Sequence, residues 1–136
     1  GPGSNNSLNL FQEMNAAGLC YKGANRKAKC IDAGDVLKMA TVNGAKAIGK
    51  EGELGEIKEG ALADLILVNL KEPQFYPRNN VISGLVYSAT GAEVDTVMVD
   101  GEILMEGRKL TGIDEEAVYA AVQAITERLG MGETEA

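Results

Sequence analysis

The sequence predicts an α+β fold, and two patterns with one total predict it. Apolar residues recur at three-to-four spacing over residues 8–19, 32–48 and 114–129, the period of an amphipathic helix. Between them, Val94 to Val99 alternates at period two and runs into Asp100-Gly101, the period of a strand entering a tight turn. At 136 residues, with 45% hydrophobic and 24% charged content, the chain is one domain's worth and long enough to bury a core. With two Phe, four Tyr and no Trp, that core must be built mainly from aliphatic side chains and Met.

In chain order, Gly1-Pro-Gly-Ser4 reads as the scar of a cleaved expression tag and stays out of the fold. A first helix is expected from Leu8 to Leu19, with Asn6 or Ser7 as N-cap and Leu8, Phe11, Met14 and Gly18 on one face. Gly18 and Gly23 weaken its end, and residues 23–29 read as a loop. Asp32 caps a second helix with Asp35 in its first turn, where the helix dipole favours an anion. Asn43-Gly44 breaks or kinks that helix, which resumes from Ala45 to Ile48 and stops at Gly49. A short extended piece, Glu53 to Ile57, a turn at 58–60 and a buried-strand run from Asp64 to Asn69 follow. Pro73 and Pro77 stiffen the next loop, and Asn80 caps a short helix from Val81 to about Ala89, with Gly91 ending it. Val94–Val99 and Glu102–Glu106 then form a hairpin through a type I′ turn, because Asp-Gly accepts the two positive φ angles that this turn needs. The last helix spans about Asp114 to Leu129, with Val118, Val122, Ile125 and Leu129 on one face; the tail 131–136 is expected to fray.

The totals exclude several functions. A net charge of −7 argues against a nucleic-acid partner, and the one basic cluster, Arg26-Lys27-Ala28-Lys29, reads as a solvated loop. No apolar run, Leu65–Val68 included, is long enough to span a bilayer, and no secretory pattern opens the chain. Cys20 and Cys30 form neither a CxxC pair nor part of a ligand set; spacing leaves a disulfide open, and free thiols in a reducing cytosol are the expectation. The chain has no histidine, which removes the commonest general base and the commonest metal ligand together.

No motif supplies chemistry in their place. Residues 44–51 (GAKAIGKE) satisfy the first seven positions of a phosphate loop, but Glu51 stands where a Ser or Thr must hold magnesium. The segment also follows a helix where a phosphate loop follows a strand, so it reads as a last helical turn. Asp64 and Asp95 each enter a strand and are expected to bond turn amides. Glu115 and Glu116 lie on a polar helix face, and Glu133 and Glu135 in the tail. Tyr21, Tyr76, Tyr87 and Tyr119 are scattered, and the thiols have only Lys22 and Lys29 near in sequence to activate them. Residue chemistry assigns no catalytic residue and no metal ligand, and leaves substrate-binding residues unknown.

Three segments in order, MATVNGAKAIG at 39–49, GEIKEGALADLILV at 55–68 and VDTVMVDGEIL at 94–104, resemble the C-terminal part of the amidohydrolase superfamily, in its nucleoside and heterocycle deaminase branch. SNNSLNLFQEM at 4–14 and PRNNVISGLVYS at 77–88 narrow the resemblance to methylthioadenosine/S-adenosylhomocysteine deaminases and their near relatives. The resemblance implies a (β/α)₈ barrel beside a small β-sandwich domain. It also implies a divalent metal, zinc or iron, held by an HxH pair, two further His and an Asp, with a Glu moving protons. That metal would activate water to attack an amino-bearing ring carbon. The metal-binding Asp of the family ends the last barrel strand, just before the segment matched by Ser4-Asn5-Asn6, so no family catalytic or metal residue carries over to a position here.

On this resemblance the chain is expected to be a non-catalytic C-terminal fragment of such a cytoplasmic enzyme. Residues 5–49 would be the last helices of the barrel, 50–112 most of the small β-domain, and 113–130 a C-terminal helix. The chain itself would carry no cofactor. Lacking the N-terminal barrel and strands, it should cover exposed sheet edges or helix faces by homo-oligomerisation, with no nucleic-acid or membrane partner. The first helix, without its barrel, is expected to be the most readily displaced element. The alternative is a stand-alone structural or assembly module descended from such an enzyme; a third possibility, catalysis by Asp64 or the thiols, has little in the residues to support it.

Overall fold

The computed structural model describes residues 7–130; the proposed tag scar at 1–4 and the tail at 131–136 lie outside the described residues. Helix α1 spans Leu10–Asn25, α2 Ala33–Ala40 and α3 Val42–Ala47; strand β1 is Leu65–Val68, followed by a 3₁₀ turn at Pro73–Phe75 and helix α4 at Val81–Tyr87. Strands β2 (Val94–Val99), β3 (Glu102–Glu106) and β4 (Lys109–Leu110) precede helix α5, Glu115–Arg128.

Helix α1 differs from expectation at both ends. Asn9, rather than Asn6 or Ser7, caps it: the Asn9 side chain accepts from the N–H groups of Phe11 and Gln12. The helix then runs through Gly18 and Gly23 and closes on Arg26, left-handed at φ 49°. Gly18 is a packing residue rather than a stop. A Cβ there would lie 3.0 Å from Tyr87 Cε1, so the absent side chain lets α4 approach. Met14, Ile31, Ala33, Val36 and Val86 gather α1, α2 and α4 into one core, with Val36 and Val86 essentially inaccessible. Helix α1 packs on this core through Met14 and Gly18, while Leu10, Leu19 and Tyr21 on it are exposed.

Helix α2 opens with a complete capping box between Asp32 and Asp35. The break after it falls at Thr41 (φ −120°, ψ −99°) and not at Asn43-Gly44, which lies inside α3. The Thr41 hydroxyl donates to the Leu37 carbonyl at 2.8 Å while the backbone leaves the helical region. Residues 53–57 form no strand. Gly52 and Gly55, at φ 80° and 86°, turn the chain twice, leaving one isolated bridge between Glu51 and Leu54.

The sheet is antiparallel in the order β1-β2-β3-β4. The hairpin forms as its turn chemistry requires, with Asp100 at φ 50° and Gly101 at φ 81°, and a bulge shifts the register between Val97 and Met98. The run expected to be buried is not. β1 is an edge strand, and Leu65, Ile66 and Leu67 are 36, 49 and 62% exposed. Asn80 caps α4 by accepting from the Ser83 N–H at 2.9 Å, and Asp114 caps α5 by accepting from the Ala117 N–H. Helix α4 buries Val86 but leaves Ile82 exposed, and α5 buries none of its residues.

Candidate functional site

An apolar groove of about 910 Å³ lies between the helices and the sheet. Phe11 and Met14 of α1 and Leu37 of α2 line one wall; Ile66 of β1 and Val97 of β2 line the other. The helical core closes on itself through Val36 and Val86, and among the described residues no helix packs extensively on the facing side of the sheet. Its one charged lining residue, Arg108, is committed: its guanidinium donates to the carbonyls of Ala92 and, at 3.0 Å, Val94. A groove of this chemistry can bury apolar surface, but it offers no acid, base or nucleophile.

The polar node of the fold is Glu93, 4% exposed beside the groove. Its carboxylate accepts from the Thr90 N–H at 3.0 Å, the Gly91 N–H at 2.9 Å, the Thr90 hydroxyl at 3.1 Å and the Gln74 side-chain amide. The Glu93 carbonyl accepts from the Asn69 N–H at 2.8 Å, so one residue ties the 3₁₀ turn, the end of β1 and the start of β2 together. Burial pushes the carboxyl up. Hydrogen bonds from the N–H groups of Glu93 and Thr90 and from the side chains of Gln74 and Thr90 outweigh it, holding the group below its ordinary value. Sequence reasoning passes over Glu93, although Thr90-x-x-Glu93 has the spacing of a capping box. With every contact spent on local backbone and Gln74, it organises structure.

The residues weighed from the sequence fall apart in space. Asp64 accepts from the Asp100 N–H at 2.8 Å, a turn amide as expected, whereas Asp95 is exposed on β2 and accepts from the hydroxyl of its neighbour Thr96. Cys20 and Cys30 are both free; the Cys30 thiol donates to the Lys27 carbonyl at 3.0 Å. Arg26, Lys27 and Lys29 follow the end of α1 in an exposed turn.

In the stretch that imitates a phosphate loop, the N–H groups of Ile48, Gly49 and Lys50 are spent on the carbonyls of Gly44, Lys46 and Ala45. Lys50 is paired with Glu53 at 2.7 Å and Lys46 with Glu51 at 3.3 Å, so no cradle remains. The bond and charge of Glu53 raise the pKa of Lys50. Tyr87 accepts from Lys22 Nζ at 2.6 Å, Tyr76 from Arg78 at 2.6 Å, and Tyr119 donates to Glu115 at 3.2 Å; Tyr21 is exposed. Hydrogen bonding to Glu115 and its charge raise the Tyr119 phenol above its ordinary value. Glu115 and Glu116 lie in the first turn of α5, and Glu133 and Glu135 lie outside the described residues.

Comparison with known proteins places this architecture. The family model described as "Amidohydrolase family" matches residues 1–104. A 5-methylthioadenosine/S-adenosylhomocysteine deaminase from Acetivibrio thermocellus is 50% identical over 129 residues, covering 95% of this chain and 30% of that protein. A 5'-deoxyadenosine deaminase from Methanococcus maripaludis is 48% identical over 119 residues, covering 88% of this chain and 28% of that protein. In structure, an adenosine deaminase from Xanthomonas campestris with bound zinc superposes with a TM-score of 0.88 at 33% identity, over 94% of this chain and 29% of that one. The chain thus spans under a third of the length of these relatives. Among the described residues no three His, Cys, Asp or Glu converge to hold a metal, and the sequence contains no histidine, so the residues present do not fit a zinc of that kind. Residues 39–49, 55–68 and 94–104, which form the α2–α3 break, the turn into β1 and the β2–β3 hairpin, all lie within the region that the family model matches, and the chain belongs to the amidohydrolase family.

Proposed function

We propose that this chain is the non-catalytic C-terminal part of a metal-dependent deaminase acting on an adenosine-type nucleoside. The observation that carries the reading is a mismatch. The chain is about half identical to deaminases of adenosine-type compounds, yet its residues do not fit the zinc that its structural neighbour holds. In this reading residues 5–49 pack on the barrel, 50–112 belong to the small β-domain and 113–130 follow it. The apolar groove and the edge of β1 are then surfaces for the remainder of the enzyme, and activated water is supplied entirely from outside this chain. Cytoplasmic residence belongs to the same reading and is supported by the two free thiols. No helix among the described residues is long and apolar enough to cross a membrane.

The test is ammonia release from adenosine, 5'-deoxyadenosine, 5'-methylthioadenosine and S-adenosylhomocysteine by the purified 136-residue chain, with and without added zinc. The expected rate is that of buffer. Turnover abolished by Asp64→Asn or by thiol alkylation would instead make the chain an enzyme in its own right. The reading frame upstream of Asn5 separates the proposal from a stand-alone assembly module: an in-frame HxH segment and a later strand ending in Asp are expected, and their absence favours the module.

A further inference from the structure

Helices and sheet form two layers with few ties between them. Helices α1, α2 and α4 pack on one another and each strand on its neighbour, and among the described residues no helix packs extensively on the sheet. Two ties that do cross meet in residues 90–93, the turn between α4 and β2. On the sheet side, the Glu93 carbonyl accepts from the N–H of Asn69, the residue after β1, at 2.8 Å. On the helical side, the Gln74 amide reaches the Glu93 carboxylate from the 3₁₀ turn. That turn is seated on α4: Phe75 is buried, and a Cβ at Gly84 would lie 2.9 Å from its ring. The second tie runs through Thr90. Its N–H and hydroxyl donate to the Glu93 carboxylate, while its carbonyl accepts from Asn9 Nδ2, on the side chain that caps α1, at 2.5 Å.

We propose that Glu93 is an acid-released latch between the helical layer and the sheet, whose protonation lets the groove between them open. An ionised carboxylate suits the position because donors converge on its two oxygens: the N–H groups of Thr90 and Gly91, the Thr90 hydroxyl and the Gln74 amide. A proton on either oxygen turns an acceptor into a donor, so at least one of these contacts is lost or reversed. Both ties depend on the carboxylate, directly at Gln74 and through Thr90 at Asn9. Glu93 is the only buried charged side chain among the described residues. The charged groups on the elements around it are engaged elsewhere or exposed. Arg108 holds the carbonyls of Ala92 and Val94, Glu72 accepts from Asn69 Nδ2 at 3.1 Å, and Asp95 accepts from Thr96. Lys71 and Glu13 are exposed, and the Tyr87 phenol of α4 is held by Lys22. The latch therefore has one titrating member. It uses only contacts within this chain and stands apart from the proposed parentage.

The test is amide hydrogen exchange of the full 136-residue chain from about pH 7 to about pH 3, with the apolar dye anilinonaphthalene sulfonate reporting on the groove. In acid the N–H groups of Asn69, Thr90 and Gly91 should lose protection at least about tenfold and dye fluorescence should rise, while the amides of α1 and α4 stay protected. Glu93→Gln should show the loosened turn and the bound dye already at about pH 7, with little further change in acid. Gln74→Ala cuts one tie and keeps the carboxyl, so it should bind some dye at neutral pH and still respond to acid. Helices that lose protection together with the turn overturn the latch, because acid then unfolds the chain as a whole. A Glu93→Gln chain that folds and stays closed overturns it as well. Turn amides unchanged across the range do so too, since Gln74 would then have turned its amide over to accept the new proton and kept the layers shut. If Glu93→Gln does not fold, the pH series of the parent chain and of Gln74→Ala decides by the same criteria.

Discussion

Asp64, at the entrance to β1, holds the turn of the β2–β3 hairpin. Its carboxylate accepts the Asp100 N–H at 2.8 Å, and beside it the Gly101 N–H donates to the Ala63 carbonyl at 3.1 Å. Two segments 36 residues apart in sequence are joined there, one ending in the strand of GEIKEGALADLILV and the other turning at Asp100-Gly101. The carboxylate stabilises the strained, positive-φ residue of the turn, which is work for a structural aspartate.

Replacing that acceptor tests the assignment. Asp64→Ala should cost about 1 kcal/mol, the usual net worth of one hydrogen bond, whereas Asp64→Asn keeps an oxygen in place and should lose less. Urea midpoints of the two variants check it; equal losses would show that the bond contributes nothing.

Gly55 lies against the break between α2 and α3. A Cβ at 55 would sit 2.8 Å from the Thr41 carbonyl oxygen, and the residue is at φ 86°. Gly55→Ala should therefore destabilise by about 1–3 kcal/mol, combining backbone strain with contact against a backbone that cannot swing aside. Gly101, at φ 81° with open space around it, carries the strain alone, so Gly101→Ala should cost less. Thermal unfolding of the pair reads the difference.

Two glycines of α1 should respond in opposite directions. A methyl group added at Gly23 would meet nothing within 4 Å, so Gly23→Ala should stabilise by about 0.5–1 kcal/mol through helix propensity. At Gly18 the same methyl meets the Tyr87 ring at 3.0 Å, while the Tyr87 hydroxyl is fixed by Lys22. Gly18→Ala should then destabilise by about 1 kcal/mol or more, the range for overpacking a core. A rise in melting temperature for Gly18→Ala would show that Tyr87 is free to move.

Glu93 makes stability depend on acid. Its carboxyl is held below the ordinary value in the fold, so the ionised form is favoured by folding. That contribution is complete above the unfolded value of about 4.3 and is lost as pH falls through the lower folded value. Urea midpoints should fall over this range in the parent chain. Glu93→Gln should be less stable near pH 7 by about 1–3 kcal/mol, because Thr90 and Gly91 lose a charged acceptor. Its midpoint should also fall less steeply in acid; an identical slope would place the acid sensitivity elsewhere.

Much of this fold is legible in the residues because its signals are local. Asp32 with Asp35, Asn80 and Asp100-Gly101 each act within four residues, and each cap or turn forms where the residue pattern puts it. The misreadings share a cause. Gly18 reads as weakening the end of the first helix, although the Tyr87 ring that uses the space there lies far along the chain. Leu65–Val68 reads as a buried strand, but burial depends on neighbours that a period cannot supply.

The candidate site is legible mainly in what it lacks. The missing histidine and the absence of any motif with metal-ligand spacing follow from the residues alone, as do the α+β class and the family resemblance carried by residues 39–49, 55–68 and 94–104. Tertiary structure alone decided that Glu93 would be buried with its carboxylate satisfied, that Asp64 would reach Asp100, and that the stripe of α5 and the edge of β1 would face outward. Caps, turns and periods are set by residues a few positions apart, whereas burial and long-range hydrogen bonds depend on which distant segments the folded chain brings together.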